Sequence, residues 1–183
     1  MTAMASEKKL DCVILGLLSH EELTGYEIKR RIDTTLKYFW GASFGSIYPT
    51  LGQLVENGLA TRRAEADGGR ERLVYAITDE GREHLRAWLG QPAQRDELRY
   101  ETLLKLFFGQ DAGAEQALEH IEAFERRTAT ELPRLEQARQ VLSSASEGDD
   151  AHRYYLLTVE FGIKTYNAYL EWCREAKALL KGE

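Results

Sequence analysis

The feature that most constrains the fold is a change in hydrophobic spacing near Gly58. From Ile47 to Val55, apolar residues recur at intervals of three and four, which places them on one face of a helix. From Leu73 to Thr78 they alternate with other residues, which is typical of a half-buried strand, and 60–66 has the character of a partner strand. Asp67-Gly68-Gly69-Arg70 lies between the two strands and is a strong hairpin signal. The chain is therefore expected to carry a helix followed directly by a β-hairpin.

Segments with helical spacing also lie before and after this helix and hairpin. A first helix is predicted from about Leu10 to Ser19, and a second begins at Thr24, where Glu27 three residues later completes a capping-box pattern. A further helix, capped by Thr78, follows the hairpin. The order helix, helix, helix, strand, strand, helix is that of a winged helix-turn-helix, so we expect a mainly α fold with a two-stranded wing.

The second half of the sequence has helical spacing throughout. Its last helix, from about Asp150 to Leu180, carries a stripe spaced alternately by three and four residues, which is typical of a seam between helices. The seam residues expected at a dimer interface are Tyr155, Val159, Gly162, Tyr166, Tyr169, Cys173, Ala176 and Leu180. We therefore expect a flexible N-terminus over 1–9, a DNA-binding domain over 10–91, and a helical dimerisation and possible effector domain over 92–183.

Composition limits the classes of function. The net charge of −6 argues against nonspecific nucleic-acid binding, although 24–72 holds 8 basic and 6 acidic residues. No apolar run is long enough to span a bilayer and no secretory signal begins the chain, so a cytoplasmic location and no membrane partner are expected. Cys12 and Cys173 are far apart and the four histidines have no paired spacing, so we expect no metal site and no cofactor. No nucleophile lies in a catalytic motif, which argues against an enzyme.

Two surfaces have the residue types that read DNA. Ser46, Thr50, Gln53 and Asn57 form a polar stripe opposite the apolar face of the third helix, and small hydroxyls and amides suit base edges and phosphates in a major groove. Arg70 and Arg72 are two residues apart and can point to the same side of the wing, where arginines suit backbone or minor-groove contacts. Each feature also fits an ordinary solvated surface, and a winged module that binds only protein remains the alternative.

Four segments carry a family resemblance: Thr24-Gly25-Tyr26-Glu27-Ile28, Phe44-Gly45-Ser46-Ile47-Tyr48-Pro49-Thr50-Leu51, Asn57-Gly58-Leu59 and Tyr75-Ala76-Ile77-Thr78-Asp79-Glu80-Gly81. Together they resemble the PadR family of transcriptional regulators. Leu103 to Phe108 is similar to part of the helical dimerisation domain of the longer members. The resemblance implies a homodimer that binds double-stranded operator DNA and usually represses, with Tyr48 and Pro49 marking the recognition helix.

The residues then expected to contact DNA are Thr24, Tyr26, Lys29, Ser43, Ser46, Tyr48, Pro49, Thr50, Gln53, Arg62, Arg70 and Arg72. Some members of the family release DNA when they bind aromatic small molecules, which implies an aromatic effector here. Candidate effector contacts are Trp88, Lys105, Phe108, Tyr154 and Tyr155. Each of these aromatic side chains also suits an ordinary core or dimer interface.

Overall fold

The computed structural model describes residues 2–40, 44–67, 70–93, 99–144 and 150–182. The chain divides into two compact units, Met1–Arg95 and Asp96–Glu183. Among the described residues, none of the helices combines the length and the apolar character that a bilayer crossing requires. The predicted mainly helical class is confirmed, with three short strands confined to the first unit.

The N-terminal unit consists of four helices and a small sheet. Its elements are α1 (Thr2–Leu18), β1 (Leu23–Thr24), α2 (Gly25–Arg31, continued by a π-helical turn over Ile32–Leu36), α3 (Phe44–Glu56), β2 (Ala60–Asp67), β3 (Arg70–Ile77) and α4 (Asp79–Leu89). The sheet is antiparallel in the order β1-β3-β2, so the predicted wing gains a third strand. Because β1 has only two residues, it is too short to show the alternation that identifies a strand.

Helix α1 begins earlier than the sequence pattern predicts. We expected a start near Leu10 after a flexible segment over 1–9, whereas the helix runs from Thr2. The residues before Leu10 include alanine, glutamate and lysine, which favour helix without forming an apolar stripe. The expectation missed this extension because it relied on hydrophobic spacing alone.

The core of the N-terminal unit is mainly aliphatic, and α1, α2 and α3 supply its most deeply buried side chains. Its fully buried members are Ile14, Leu15, Ile28, Ile32, Ile47, Leu51 and Leu54. Burial of each such side chain contributes about 1.5–3 kcal/mol to the free energy of folding. Three of them lie on α3, so burial of this one face fixes which side of α3 is presented to solvent.

Caps fix the ends of the elements around α3. Thr24 and Glu27 form the predicted capping box at the start of α2, with the Glu27 amide donating to Thr24 Oγ1 at 3.2 Å. Thr78 caps α4 through the Gly81 amide at 3.0 Å, and its hydroxyl donates to the Gly58 carbonyl at 2.8 Å. Gly58 has a φ of +71°, the left-handed conformation that ends α3 before β2 begins.

The C-terminal unit is entirely helical in its described part. It contains α5 (Glu101–Phe107), a 3₁₀ turn over Gly109–Asp111, α6 (Ala114–Ser144) and α7 (Asp150–Lys181). Pro133 lies inside α6, which continues past it as one helix instead of breaking there.

Candidate nucleic-acid interface

The solvent face of α3 is set by the core on its other side. Tyr48 is 51% exposed, and Pro49 and Gln53 are also exposed, while Ile47, Leu51 and Leu54 are buried. The exposed side chains of Tyr48, Pro49 and Gln53 therefore offer a ligand an aromatic ring, a proline edge and an amide, and Glu56 adds a carboxylate at the end of the helix.

The structure corrects one member of the predicted polar stripe. Thr50 is only 8% exposed, and its hydroxyl donates to the Ser46 carbonyl at 2.7 Å. Ser46 is half-buried, so Gln53 and Asn57 are the exposed members of the stripe, and Asn57 follows the last residue of α3. The stripe was placed opposite the apolar residues, but the core covers an arc wide enough to include Thr50. The accessible face lies about a quarter turn away, toward Tyr48 and Pro49.

The Tyr48 ring joins α3 to α2. A Cβ built on Gly25 would lie 2.6 Å from Tyr48 Cε1 and 3.0 Å from its Cζ. Only glycine at this position lets the ring lie so close to the α2 backbone. Tyr48 is therefore fixed by packing at one edge while half of its surface stays exposed. An exposed aromatic ring held in one place can serve as a positioned contact.

The wing has a defined register and an ion-pair network. Glu65 on β2 pairs with Arg72 on β3, and Arg72 Nη2 lies 3.2 Å from Glu65 Oε2. Arg63 forms ion pairs with Glu65 and with Glu22. These two arginines hold the pKa of the Glu65 carboxyl below its usual range, mainly through the hydrogen bonds of Arg63. Arg62 is exposed, and within the described residues it has no carboxylate partner.

The predicted α2 contacts fall into two groups. Tyr26 is 62% exposed, whereas the Thr24 hydroxyl is held in the capping box, where it donates to Glu27 Oε2 at 2.8 Å. Lys29 is paired with Asp33 one turn later. Two further predicted residues have no described side chain: Ser43 is outside the described residues, and only the backbone of Arg70 is described.

A cavity of about 210 Å³ lies within the C-terminal unit between α5, α6 and α7. Its lining residues are Tyr100, Thr102, Leu103, Phe124, Tyr169 and Trp172. The Phe124 ring is central, with centroids 5.4 Å from Tyr169 and 5.9 Å from Trp172. The Tyr100 and Tyr169 hydroxyls are hydrogen-bonded to each other, and burial raises the pKa of Tyr169 above its ordinary value. The walls are thus mainly aromatic, and the Tyr169 hydroxyl stays un-ionised.

None of the five predicted effector contacts is among the lining residues of this cavity. Trp88 belongs to the N-terminal unit. Lys105 is paired with Glu101 at 2.9 Å, and Phe108 and Tyr154 are largely exposed. Composition identified aromatic side chains but carried no information on which of them meet. Phe124, Tyr169 and Trp172 are brought together only by the packing of α6 on α7, because Phe124 is dozens of residues from the other two in sequence.

The residues of the predicted seam on α7 also fall into two groups, those packed within the chain and those left partly exposed. Gly162 lies against Leu135 of α6, whose Cδ1 is 3.2 Å from an ideal Cβ at that glycine. Cys173 is fully buried and Tyr169 contacts Phe124, so these three seam residues pack within one chain instead of facing a second chain. Tyr155 and Leu180 remain partly exposed. A heptad stripe shows that a helix packs on a neighbour, but it does not show whether the neighbour belongs to the same chain.

Known proteins match both units. A family model described as the transcriptional regulator PadR-like family matches residues 14–87, and one described as virulence activator alpha C-term matches 98–181. The negative transcriptional regulator PadR of Bacillus subtilis is 28% identical over 179 residues, which cover 93% of this chain and 97% of that protein.

Two solved structures of that regulator have the same fold. Bacillus subtilis PadR in complex with operator DNA aligns with a TM-score of 0.79 at 26% identity, covering 93% of this chain and 98% of the other. The same regulator in complex with p-coumaric acid aligns with a TM-score of 0.70 at 25% identity, covering 96% and 97%. This chain therefore carries a PadR-like transcriptional-regulator domain over residues 14–87, followed by a virulence activator alpha type of C-terminal region over 98–181.

Proposed function

We propose that the protein is a dimeric transcriptional repressor that binds operator DNA through its N-terminal unit and releases it when a small aromatic molecule binds. The observation that carries the proposal is the exposed Tyr48-Pro49-Gln53 face of α3 beside an arginine-bearing wing. The relation to a negative regulator that was solved with operator DNA supports it. The proposal assigns a binding function in the cytoplasm without a catalytic step.

In this proposal Gln53 reads bases and the wing contacts the DNA backbone. A glutamine amide can pair with the N6 and N7 edge of adenine, and one such pair is worth about 1–3 kcal/mol of discrimination. Among the described residues no carboxylate pairs with Arg62, whereas Arg63 would have to break its ion pairs with Glu22 and Glu65 before it could contact a phosphate. The two neighbouring arginines are therefore expected to differ in their contribution to DNA affinity.

The test is fluorescence anisotropy of labelled DNA from upstream of the protein's own gene, over a salt titration. Arg62→Ala should weaken binding to all sequences and lower the slope of log K against log salt by about 0.9 for each phosphate that the variant no longer neutralises. Arg63→Ala is the matched control and should change the slope less. Equal slopes for both variants and the parent would show that the wing does not contact DNA.

Base reading needs a separate measurement. Gln53→Ala should lower the affinity for the upstream DNA about 5- to 100-fold per half-site while leaving the affinity for unrelated DNA unchanged. Gln116→Ala, which removes an exposed glutamine of α6, is the control. If the parent protein does not retard upstream DNA even at low salt, the repressor proposal fails and a module that binds protein alone becomes the better description.

Self-association is proposed through apolar side chains that the single chain leaves uncovered. Leu157 and Phe161 on α7 are 65% and 66% exposed, and Phe107 on α5 is 82% exposed. Isolated chains rarely leave several large apolar side chains exposed on one unit, so this surface is expected to meet a second copy. A dimer would also supply two recognition helices for major grooves roughly 34 Å apart.

Light scattering tests this surface. Phe161→Glu should convert the dimer to a monomer, because it puts a charge into the interface that the proposal requires. Arg174→Glu, at another exposed position of α7, should leave the dimer intact. A dimeric Phe161→Glu protein would show that the subunits meet elsewhere.

The cavity of the C-terminal unit is the proposed effector site. An engineered apolar cavity of about 150 Å³ is large enough to bind benzene, so about 210 Å³ suits one substituted ring. Arg127 stands beside the lining, with its guanidinium carbon 5.9 Å from the Phe124 ring centroid and Nη2 3.5 Å from Thr102 Oγ1. This cation would favour an aromatic acid, and the p-coumaric acid complex of the relative supports that class.

The effector test adds p-coumaric acid to the protein–DNA complex and follows anisotropy. DNA should be released from the parent, and Arg127→Gln should require a higher concentration, since a carboxylate would lose its counter-charge. Arg126→Gln is the control because Arg126 is exposed and pairs with Glu122, away from the lining. Identical DNA-release curves for the parent and both variants would show that the effector does not bind in this cavity.

A further inference from the structure

Three residues with metal-binding side chains meet where α1 packs on α4. Asp11 and Cys12 lie on α1 and His84 lies on α4. One ligand atom from each, the carboxylate oxygen, the sulfur and an imidazole nitrogen, all lie within 4.8 Å of one another. Among the residues that the structure describes, no other group of three such side chains has this geometry. The sequence gives little sign of it, since His84 is more than 70 residues from the other two.

The local packing holds two of these residues in place. Cys12 is 2% exposed, and its amide donates to Asp11 Oδ1 at 2.8 Å, which fixes that carboxylate on the same turn. The other carboxylate oxygen, Oδ2, lies 4.0 Å from His84 Nε2. Arg82 on α4 donates to the Ser19 carbonyl at 3.1 Å, which ties α4 to the end of α1.

We propose that Asp11, Cys12 and His84 bind one Zn²⁺ ion, with water as the fourth ligand. Thiolate, imidazole and carboxylate are the three ligand types that zinc takes in proteins, and three protein ligands with an open position is an established arrangement. Binding releases the thiol proton of Cys12 to solvent, so sulfur enters the site as thiolate and no redox change occurs.

The geometry requires a small adjustment. Zinc bonds of about 2.0–2.3 Å place tetrahedral ligand atoms roughly 3.3–3.8 Å apart. The ligand atoms of Asp11, Cys12 and His84 must therefore move closer to one another by about 1 Å. The His84 side chain is 45% exposed and can supply this movement by rotation, while Cys12 stays fixed in the core. The site uses α1 and α4, leaving the exposed faces of α3 and the wing free. A bound ion would join α1 to α4 and stabilise the N-terminal unit.

Cobalt is the direct probe of this site. The tag-free full-length protein is stripped with a chelator and titrated with Co²⁺, which gives an intense thiolate-to-metal charge-transfer band only when sulfur is a ligand. We expect one Co²⁺ per chain with that band, and its loss when Zn²⁺ is added. His84→Ala should weaken Co²⁺ binding by at least the roughly 10- to 100-fold that loss of an outer partner costs.

Controls separate coordination from misfolding. Cys173→Ser removes the other buried cysteine and should keep the band, whereas Cys12→Ser should lose it. Because Cys12 is buried in the core, loss of the band in Cys12→Ser is interpreted together with the result for His84→Ala. The His84 side chain is exposed, so its removal should leave the fold intact. Zn²⁺ should raise the melting temperature of the parent and not that of His84→Ala. A missing charge-transfer band in the folded parent, or an unchanged Co²⁺ affinity in His84→Ala, would overturn the proposal.

Discussion

Gly81 offers the sharpest test of how the N-terminal unit is assembled. It lies in the first turn of α4, where its amide donates to Thr78 Oγ1. A Cβ at this position would lie 2.1 Å from the Leu59 carbonyl oxygen and 2.8 Å from Ile77 Cγ1. The closest contact is with backbone, so no side-chain rotation can relieve it. Alanine would push the start of α4 away from the chain that leads into β2.

The expected cost follows from this contact. The Cβ and the Leu59 oxygen would have to separate by about 0.9 Å to reach 3.0 Å, the shortest distance that real Cβ atoms tolerate. Overpacking of this kind costs about 1–3 kcal/mol, and disturbing the Thr78 cap adds about 1 kcal/mol. We expect Gly81→Ala to lower the free energy of unfolding by about 2–4 kcal/mol. In a unit of this size that corresponds to a fall in melting temperature on the order of 10–20 °C.

The matched control is the same substitution in open space. A Cβ at Gly16 in α1 would meet nothing within 4 Å, so Gly16→Ala should gain the helix propensity of alanine, about 0.5–1 kcal/mol. Circular dichroism during heating and urea titration of the parent and both variants measures the difference. The reasoning is refuted if Gly81→Ala is as stable as the parent, or if both variants shift in the same direction.

Three other substitutions test smaller features. Thr78→Ala removes the α4 cap and should destabilise by about 1 kcal/mol in urea titration, an effect absent if the Gly81 amide finds water instead. The hydrogen bonds from the Thr24 amide and hydroxyl hold the pKa of Glu27 below its ordinary value. The stabilisation from this carboxylate is therefore fully present above the ordinary glutamate pKa and is lost as the pH falls through the lowered pKa, so Glu27→Gln should flatten the stability profile on the acid side of the ordinary pKa. Tyr169→Phe leaves the Tyr100 hydroxyl without its partner and should cost about 1 kcal/mol by thermal melting, with no change expected if water replaces the bond.

The sequence was sufficient for those features that depend on near neighbours. The apolar face of α3, the capping box at Thr24 and the cap at Thr78 were all expected, and the structure has each of them. Their spacing or capping chemistry acts within a few residues, so it can be read along the chain. The predicted family and winged-helix class are confirmed for the same reason, since the motif segments are local.

Tertiary packing decided which face of each element is buried and which is exposed. Spacing placed Thr50 in the polar stripe, but the width of the core buried it. Spacing also placed Gly162 and Cys173 on a seam, but only the path of α6 showed that these two residues pack within one chain. The aromatic cavity, the limit on Gly81 and the meeting of His84 with α1 arise likewise from residues far apart in sequence. Periodicity defines a face relative to its own helix axis, and only the folded chain determines what covers that face.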